Sequence, residues 1–492
     1  MPLSGDLLRL ADAVLFPGFP GQTPPDWIRR RLGEGLAGVV LFSRNIAGPA
    51  QVARLTAALR AENPAVLVGT DEESGEVTRL EVATGSSRPG GYALGVVDDV
   101  DLTESLAADL GGDLARAGIT IDFAPSADVN SNPDNPVIGL RAFGADPELV
   151  ARHTRAFVRG LQSAGVAACA KHFPGHGDTS VDSHHGVPVV AESGIEDALF
   201  PFREAIAEGV KAVMTGHLLV PSYDAERPAT LSPKVLTGLL REELGFDGMI
   251  ITDGIEMAAV SEAHGIGGAS ARAIAAGADA ICVGGERADE ATAAGIRDAI
   301  AAAVTEGLLP EERLADAARR VRELAAWAAS SGSPAPADAG IGLAAARRAI
   351  RVTRRSATPV LPLEAAPHVV ELAPEMNLAI DRNTPWGVGE PLSRLLPGTV
   401  VTRLTAGQAT GSELERLIGA AAGHPLVAVV RDVHRHAWQS EALRHLLSAR
   451  PDAVVVEMGL PARSDLGALH VATYGSARVC GQAAAELLTG SL

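Results

Sequence analysis

Residues 166–171, Val-Ala-Ala-Cys-Ala-Lys, form an apolar run that ends in a charged side chain. Similar short runs recur along the first two thirds of the chain, separated by longer amphipathic stretches. Apolar strands that alternate with helices are typical of parallel strands buried on both faces. The pattern predicts an α/β fold that begins with an eight-stranded (β/α)8 TIM-type barrel. The further runs are 38–43, 66–70, 120–124, 212–215, 248–252, 279–283 and a weaker one at 13–16.

Polar side chains follow the ends of five of these runs. They are Asp71-Glu72-Glu73, Asp128, the Lys171-His172 pair, His217 and Asp253, at or just past the end of a run. In a β/α barrel the carboxyl ends of the strands meet at one face, where active sites are built. We therefore expect these side chains to converge on one functional site.

A segment rich in Ser, Pro, Ala and Gly, SGSPAPADAG at 331–340, follows a helical stretch and is typical of a linker. Beyond it, strand-like runs again alternate with helical ones, which predicts a smaller α/β (αβα) sandwich with a doubly wound sheet. We predict a barrel domain at 1–330, a linker at 331–342 and a sandwich domain at 343–492. The sandwich lacks a glycine-rich strand-to-helix fingerprint, so we expect no nucleotide site there.

The charge balance narrows the choice of partner. Lys and Arg total 42 against 60 Asp and Glu, which gives the 492-residue chain a formal net charge of −18. An excess of negative charge disfavours sequence-independent binding to nucleic acid or to anionic lipid. A neutral small substrate, or an anionic one held by a few local cations, is the expected partner. No pattern in the sequence assigns an oligomeric state.

Several sequence features bear on location. The first residues carry no basic n-region, because Asp6 precedes the first arginine, and no apolar run of 18 residues occurs. We therefore predict neither a signal peptide nor a membrane span. The three cysteines, Cys169, Cys282 and Cys480, provide no disulfide framework, and two lie inside apolar runs. Buried thiols in a reducing compartment are the interpretation, and a cytoplasmic location follows.

The densest set of reactive side chains lies in residues 171–188, KHFPGHGDTSVDSHHGVP. Its glycines and prolines indicate a loop, and its four histidines and two aspartates suggest either a metal cage or an acid/base site. The histidine spacings match no zinc pattern, such as two histidines one helical turn apart. We therefore expect neither a metal nor an organic cofactor, and chelation tests the metal alternative.

The acid/base hypothesis rests on Asp182-Ser183-His184. An imidazole with an ordinary pKa of ~6.5 is suited to proton transfer near neutrality, and a carboxylate two residues away is placed to orient it. A nucleophile is then needed, and Asp253 in the run Met249-Ile250-Ile251-Thr252-Asp253-Gly254 ends a buried strand. Asp is also a favoured helix N-cap residue, so the residues alone leave both roles for Asp253 open.

At this point the sequence resembles a known family. The motif KHFPGHGDTSVDSH is similar to the signature of the β-N-acetylglucosaminidase branch of glycoside hydrolase family 3, and further matches run in order across the first domain. The second domain is similar, more loosely, to the α/β sandwich of longer members. One departure is the leucine before the arginine of GLRAFG, where relatives often have a polar residue. The further matches are TDEESGEVTRL, DFAPSADVN, GLRAFG, MTGHLLVP and GFDGMIITDGIEM.

The resemblance implies roles for individual residues. Asp253 becomes the nucleophile, His184 the general acid/base, and Asp182 its dyad partner. Asp128 and His217 fall in matching segments, and we expect Asp128 to brace a strand end. His176 and His185 receive no role beyond loop scaffolding. The residues implied to grip sugar hydroxyls and the acetamido group are Asp71, Arg141, Lys171 and His172, with His217 as a less certain contact.

The implied function is a retaining β-N-acetylglucosaminidase that removes terminal β-linked N-acetylglucosamine through a covalent glycosyl-Asp intermediate. A neutral imidazole does not repel an anionic acceptor, so a phosphorylase that uses inorganic phosphate stays open. A catalytically silent sugar-binding protein is a further alternative, and a β-glucosidase fits the histidine loop poorly. The natural substrate, whether peptidoglycan fragment, chitin oligosaccharide or glycoconjugate, is not fixed; a cytoplasmic member favours cell-wall fragment recycling.

Overall fold

The computed structural model describes residues 4–181, 186–285, 287–332, 338–355 and 361–492. The chain divides into two compact units. The barrel unit comprises Met1–Glu73, Val100–Ile138 and Gly144–Ala337, and the C-terminal unit comprises Ser74–Asp99, Gly139–Phe143 and Asp338–Leu492.

The strands are numbered in chain order. They are β1 (Leu15–Pro17), β2 (Gly38–Leu41), β3 (Leu67–Thr70), β4 (Ile121–Asp122), β5 (Ala167–Phe173), β6 (Ala212–Thr215), β7 (Leu219–Val220), β8 (Asp224–Pro228), β9 (Met249–Thr252), β10 (Ile281–Val283), β11 (Arg351–Arg354), β12 (His368–Leu372), β13 (Val400–Leu404), β14 (Leu426–Val430), β15 (Val454–Glu457) and β16 (Leu469–Ala472).

The α-helices are numbered in the same way. Among the described residues, none is both long enough and apolar enough to cross a bilayer. They are α1 (Gly5–Asp12), α2 (Asp26–Glu34), α3 (Pro49–Glu62), α4 (Gly91–Val97), α5 (Val100–Ala117), α6 (Pro147–Ser163), α7 (Ile195–Ala207), α8 (Ala258–Ala276), α9 (Glu290–Thr305), α10 (Glu311–Ser330), α11 (Ile341–Ala349), α12 (Gly389–Leu395), α13 (Gly411–Ala420), α14 (Ala437–Ala449) and α15 (Arg478–Thr489). Lys234–Glu243 is a π-helix.

The barrel unit is built on parallel strands. Six of them form one sheet in the order β2-β3-β4-β5-β6-β9, and β1 pairs with β10 in parallel. A parallel bridge between Ile251 and Ala280 joins β9 to β10. On the remaining side, β2 packs beside β1. The two strands are so close that a Cβ on Gly38 of β2 would lie 2.3 Å from the Phe16 ring of β1. The strands predicted from the apolar runs are therefore confirmed, and with them the TIM-type barrel.

The inside of the barrel is filled by apolar side chains from successive strands. Phe16, Phe123 and Met214 are among the buried members of this core, and Val321 and Leu324 of α10 pack against it. Gly69 of β3 leaves room for the Phe123 ring, since a Cβ there would lie 2.7 Å from it. Polar chemistry is thus confined to the strand ends, because the interior is packed.

The C-terminal unit contains a sheet in the order β11-β16-β15-β14-β12-β13. Strands β12 to β16 are parallel, and the sheet is doubly wound. Strand β13 is added on one side of β12 and β14 on the other, so the strand order reverses between β12 and β14. The predicted α/β sandwich is confirmed. Strand β11 is an antiparallel edge strand that the sequence did not reveal, because its residues RVTR are largely exposed and form no apolar run.

The C-terminal unit also takes in segments from the first part of the chain. Ser476 donates its backbone N–H to the Glu76 carboxylate, and the rings of Tyr92 and Tyr474 stack with centroids 6.1 Å apart. Residues 74–99 and 139–143 therefore group with the last third of the chain. The predicted domain boundaries at 1–330, 331–342 and 343–492 stay a prediction.

Candidate active site

A lysine near the carboxyl end of β5 is held between two carboxylates that follow β3. The Lys171 Nζ is 2.7 Å from the Asp71 Oδ1 and 2.6 Å from the Glu73 Oε1. The Lys171 side chain is only 1% exposed, whereas Asp71 is partly open to solvent. A buried ammonium needs such partners, because desolvation of an unpaired charge costs several kcal/mol. The two carboxylates therefore offset the desolvation of the Lys171 side chain and fix its position.

A third carboxyl group lies on β4, the strand between β3 and β5. Asp122 ends β4, is fully buried, and accepts the Glu72 backbone N–H on Oδ1 at 2.9 Å. Burial raises the pKa of Asp122 well above its usual range, and the nearby Lys171 offsets only part of this effect. Among the described residues, its Oδ2 has no hydrogen-bond partner. A protonated Asp122 is the form that burial favours.

His172 is held by a buried aspartate. Its Nδ1 lies 2.8 Å from the Asp128 Oδ2, and its backbone N–H donates to Oδ1 at 3.2 Å. Asp128 also accepts from the Ser126 hydroxyl at 2.9 Å and from the His176 N–H at 2.7 Å. Burial alone would raise the pKa of Asp128, but attraction to His172 and these hydrogen bonds lower it overall. Asp128 thus braces the strand end and orients His172.

Hydrogen bonds hold the start of the loop that follows β5. The His176 Nδ1 lies 2.5 Å from the Thr179 hydroxyl, and the Asn135 amide donates to the His176 carbonyl at 2.8 Å. His176 is buried, as scaffolding requires. The predicted dyad Asp182 and His184, together with His185, lies outside the described residues.

Asp253 directly follows β9. Its N–H donates to the Thr215 carbonyl at 3.2 Å, and its Oδ1 accepts the Gly254 N–H at 2.7 Å. The residue is partly exposed. The N-cap interpretation of Asp253 is wrong, because the next helix, α8, begins at Ala258 with Met257 as its N-cap. Asp253 is therefore a strand-end carboxylate beside a tight turn.

His217 lies two residues after β6 and is fully buried. Its Nδ1 is 2.8 Å from the Thr230 hydroxyl, and its Nε2 is 3.0 Å from the Gly254 carbonyl oxygen. Both ring nitrogens thus face protein groups, one of them next to Asp253. The substrate contact predicted for His217 stays a prediction, and this geometry favours another role.

Asp71, Lys171 and Asp253 lie at the carboxyl end of one parallel sheet. Asp71 follows β3, Lys171 lies in β5, and Asp253 follows β9, in the sheet order β2-β3-β4-β5-β6-β9. Burial raises the pKa of the Cys169 thiol of β5, which lies in the same sheet. The convergence of all the predicted residues on one functional site stays a prediction.

Arg141 falls in a different unit. It ends a short 3₁₀ helix, Gly139–Arg141, and is partly exposed. This segment belongs to the C-terminal unit. Its predicted contact with the sugar stays a prediction.

Among the described residues, no group of three or more His, Cys, Asp or Glu side chains is placed to hold a metal ion. The loop that motivated the metal alternative contains Asp182, His184 and His185, which lie outside that part of the chain. The chelation test therefore keeps its value.

Glu73, which pairs with Lys171, was among the predicted strand-end residues. Two other neighbours of the site were not predicted. Asp122 of β4 lies near Lys171, and Thr230 contacts His217. A signal existed for Asp122, because an acidic residue inside an apolar run is unusual. Nothing local marks Thr230, which reaches His217 only through the hairpin of β7 and β8.

Enzymes with a TIM-type barrel build their active sites from polar side chains at the carboxyl ends of the strands, and glycosidases use carboxyl groups there. Residues 26–324 match the family described as glycosyl hydrolase family 3 N terminal domain. The chain belongs to glycoside hydrolase family 3.

Comparison with individual proteins gives the same grouping. The structure of a glycoside hydrolase family 3 β-N-acetylglucosaminidase from Paenibacillus sp. str. FPU-7 is similar, with a TM-score of 0.87 and 34% identity, covering 99% of this chain and 97% of that one. β-Hexosaminidase LpqI of Mycobacterium tuberculosis is 41% identical over 220 residues, 43% of this chain and 56% of LpqI. β-Hexosaminidase A of Pseudoalteromonas piscicida is 36% identical over 264 residues, 49% of this chain and 44% of that protein. The chain thus spans about half the length of these two curated relatives.

Proposed function

We propose that this chain is a retaining β-N-acetylglucosaminidase that removes terminal β-linked N-acetylglucosamine. The observation that carries the proposal is the placement of Asp253 directly after β9, at the carboxyl end of the same parallel sheet in which β3 and β5 place Asp71 and Lys171. Family membership and the names of the similar proteins support it. The substrate partner is a small carbohydrate, and no cofactor takes part.

In the first step, the Asp253 carboxylate attacks the anomeric carbon while the bond to the leaving oxygen breaks. The leaving oxygen takes a proton from His184, and a covalent glycosyl-Asp253 ester forms. In the second step, His184 takes a proton from water, whose oxygen attacks the anomeric carbon and releases Asp253. Two displacements at one carbon return the original anomeric configuration.

The acid/base group of this scheme is an imidazole where most glycosidases use a carboxyl group. Asp182 stabilises the imidazolium and orients the ring, as the carboxylate of a catalytic triad does. General acid/base catalysis of this kind contributes about 10² to 10⁴ in rate. This part of the proposal rests on the sequence motif Asp182-Ser183-His184.

The sugar itself is gripped by the charged strand ends. Lys171 is locked by Asp71 and Glu73, so its ammonium and the partly exposed Asp71 form a rigid donor and acceptor pair for hydroxyl groups. His172, oriented by Asp128, adds a second fixed group beside it. Rigid polar groups bind hydroxyls well because little entropy is lost when the sugar docks. The assignment of Arg141 as a further sugar ligand rests on the GLRAFG motif alone.

The acceptor in the second step is water in this proposal, and phosphate in the phosphorylase alternative. Turnover of an aryl β-N-acetylglucosaminide with and without inorganic phosphate distinguishes them. Free N-acetylglucosamine as the product under both conditions supports the hydrolase. A sugar 1-phosphate formed only with phosphate would replace it by the phosphorylase, and a protein without turnover in either buffer would leave the silent sugar-binding role.

The natural substrate in this proposal is a cell-wall fragment recycled in the cytoplasm. All three cysteines are free and buried, which suits a reducing compartment but does not require one. Fractionation of cells that express the tagged protein tests the location. A pool of the protein outside the cell membrane would contradict it.

A further inference from the structure

The imidazole of His217 connects two elements of the barrel. It follows β6, and its ring lies between the Thr230 hydroxyl at 2.8 Å and the Gly254 carbonyl oxygen at 3.0 Å. Because a carbonyl oxygen only accepts, the Nε2 of His217 must carry a proton. The ring is therefore fixed as a hydrogen-bond donor toward the residue after Asp253.

The other side of the ring is equally fixed. The Thr230 hydroxyl lies 2.7 Å from the Thr215 hydroxyl and 3.1 Å from the Gly216 carbonyl oxygen. All of these groups are buried, so water does not compete for their hydrogen bonds. The network leaves His217 one orientation.

The contact with Gly254 acts on the nucleophile. The Gly254 N–H donates to the Asp253 Oδ1 at 2.7 Å, so the orientation of this glycine decides how the carboxylate is held. Glycine has more backbone freedom than any other residue and needs an external constraint to stay in place. His217 supplies one at the Gly254 carbonyl, where the Met257 N–H also donates at 3.0 Å.

We propose that His217 is a positioning residue for the nucleophile, acting through the Gly254 backbone, and that Thr230 holds its ring in place. This inference rests on the proposed function, because it needs Asp253 to be the nucleophile. It replaces the sugar contact expected for His217. A positioning residue affects the chemical step, whereas a sugar ligand affects binding as well.

The test compares His217→Leu with His217→Gln, and Thr230→Val with Thr230→Ser. Gln keeps an N–H donor and an acceptor near the imidazole positions, and Ser keeps the hydroxyl. Each variant is measured for kcat on an aryl β-N-acetylglucosaminide, for the inhibition constant of N-acetylglucosamine, and for its thermal midpoint. Assays are run well below the lowest midpoint, so that loss of folded protein does not lower kcat.

We expect His217→Leu to lower kcat by about 10²-fold, since misplacement by about 1 Å costs that much, and Thr230→Val to lower it less. Binding of N-acetylglucosamine stays within about twofold of wild type. Gln and Ser restore most of kcat. If His217→Leu does not fold, the test rests on Thr230→Val, Thr230→Ser and His217→Gln.

Two results would overturn the inference while the proposed function stands. One is an inhibition constant that rises in step with the loss of activity, which makes His217 a sugar ligand. The other is a folded His217→Leu or Thr230→Val protein with wild-type kcat. A wild-type protein without any turnover would overturn the proposed function first, and this inference with it.

Discussion

The Lys171 ammonium and the Asp71 carboxylate, 100 residues apart in sequence, lie 2.7 Å apart near the carboxyl ends of β5 and β3, the two strands that flank β4. Glu73 contacts the same ammonium at 2.6 Å. The two carboxylates offset the desolvation free energy of the buried Lys171 ammonium. The partly exposed Asp71 lies at the boundary with solvent. This pair links the core of the barrel to its proposed sugar site.

Replacing Lys171 by Met removes the ammonium and keeps most of the volume. We expect kcat/KM on an aryl β-N-acetylglucosaminide to fall by about 10²-fold or more, because a sugar ligand and the charge partner of two carboxylates are lost together. Lys234→Met, at an exposed site of the π-helix, is the matched control and keeps wild-type activity. A folded Lys171→Met protein with unchanged kcat/KM would contradict the proposed binding role.

His184→Ala should affect substrates according to their leaving groups. An aryloxide with a low pKa departs without a proton, so we expect kcat/KM, which reports the first step, to fall little for it, whereas kcat/KM for an alkyl or sugar leaving group falls by about 10² to 10⁴. Steady-state kinetics on a series of leaving groups measures the difference. His185→Ala is the control, since no role is assigned to it. Equal losses across the series would argue against proton donation.

Stability of the barrel unit should depend on Asp279. Its fully buried carboxylate accepts from Arg241, from Arg313 at 2.5 Å and from the Ile250 N–H at 2.8 Å. Asp279→Ala removes the buried carboxylate that Arg241 and Arg313 share, although Arg313 keeps Asp316 at 2.6 Å, and we expect a loss of about 3–5 kcal/mol in unfolding free energy. The exposed Asp298, paired with Arg297 at 2.7 Å, is the control; Asp298→Ala should cost under about 1 kcal/mol. Denaturant unfolding compares them, and equal losses would contradict the account.

Glu457 of β15 predicts a pH dependence in the C-terminal unit. Burial raises the pKa of Glu457 to about 8. At a pH below the ordinary pKa of glutamate, the Glu457 carboxyl is protonated in both the folded and the unfolded state, so the shift has no effect on stability there. As the pH rises toward 8, the unfolded state loses the proton that the folded state keeps, and stability falls. At a pH well above the folded-state pKa of Glu457, the loss of stability is complete and does not grow further.

The variant Glu457→Gln keeps an acceptor for the backbone N–H groups of Asp432 and Gly459 but does not titrate. Unfolding of wild type and variant is compared between pH 4 and pH 9. We expect the wild type to lose stability relative to Glu457→Gln as the pH rises, by about 1.4 kcal/mol for each unit of pKa shift. Glu415→Gln, at an exposed position of α13, should show no such trend. Parallel stability curves for wild type and Glu457→Gln would contradict the shift.

The barrel strands could be predicted because parallel strands buried on both faces read as continuous apolar runs. The same rule fails for β11, an edge strand whose side chains are largely exposed. It also fails for residues 74–99, which pack with the last third of the chain through contacts such as that between Glu76 and Ser476. Local sequence carries no record of such long-range packing.

The candidate site was predictable where a polar residue ends an apolar run, as for Asp71, Lys171 and Asp253. The interactions that tune these residues were not. Whether Lys171 pairs with one carboxylate or two, and whether His217 faces a sugar or the Gly254 carbonyl, depends on side-chain directions that only the assembled barrel fixes.

The central claim is that Asp253 carries the sugar during turnover. The most direct measurement is mass spectrometry of peptides from His184→Ala protein quenched during reaction with an activated aryl β-N-acetylglucosaminide, a condition that slows release of the intermediate. We predict one added N-acetylhexosamine on the peptide that contains Asp253, and none in the Asp253→Asn background. A sugar ester on a different carboxylate, or turnover of the wild type with inversion at the anomeric carbon, would contradict the account.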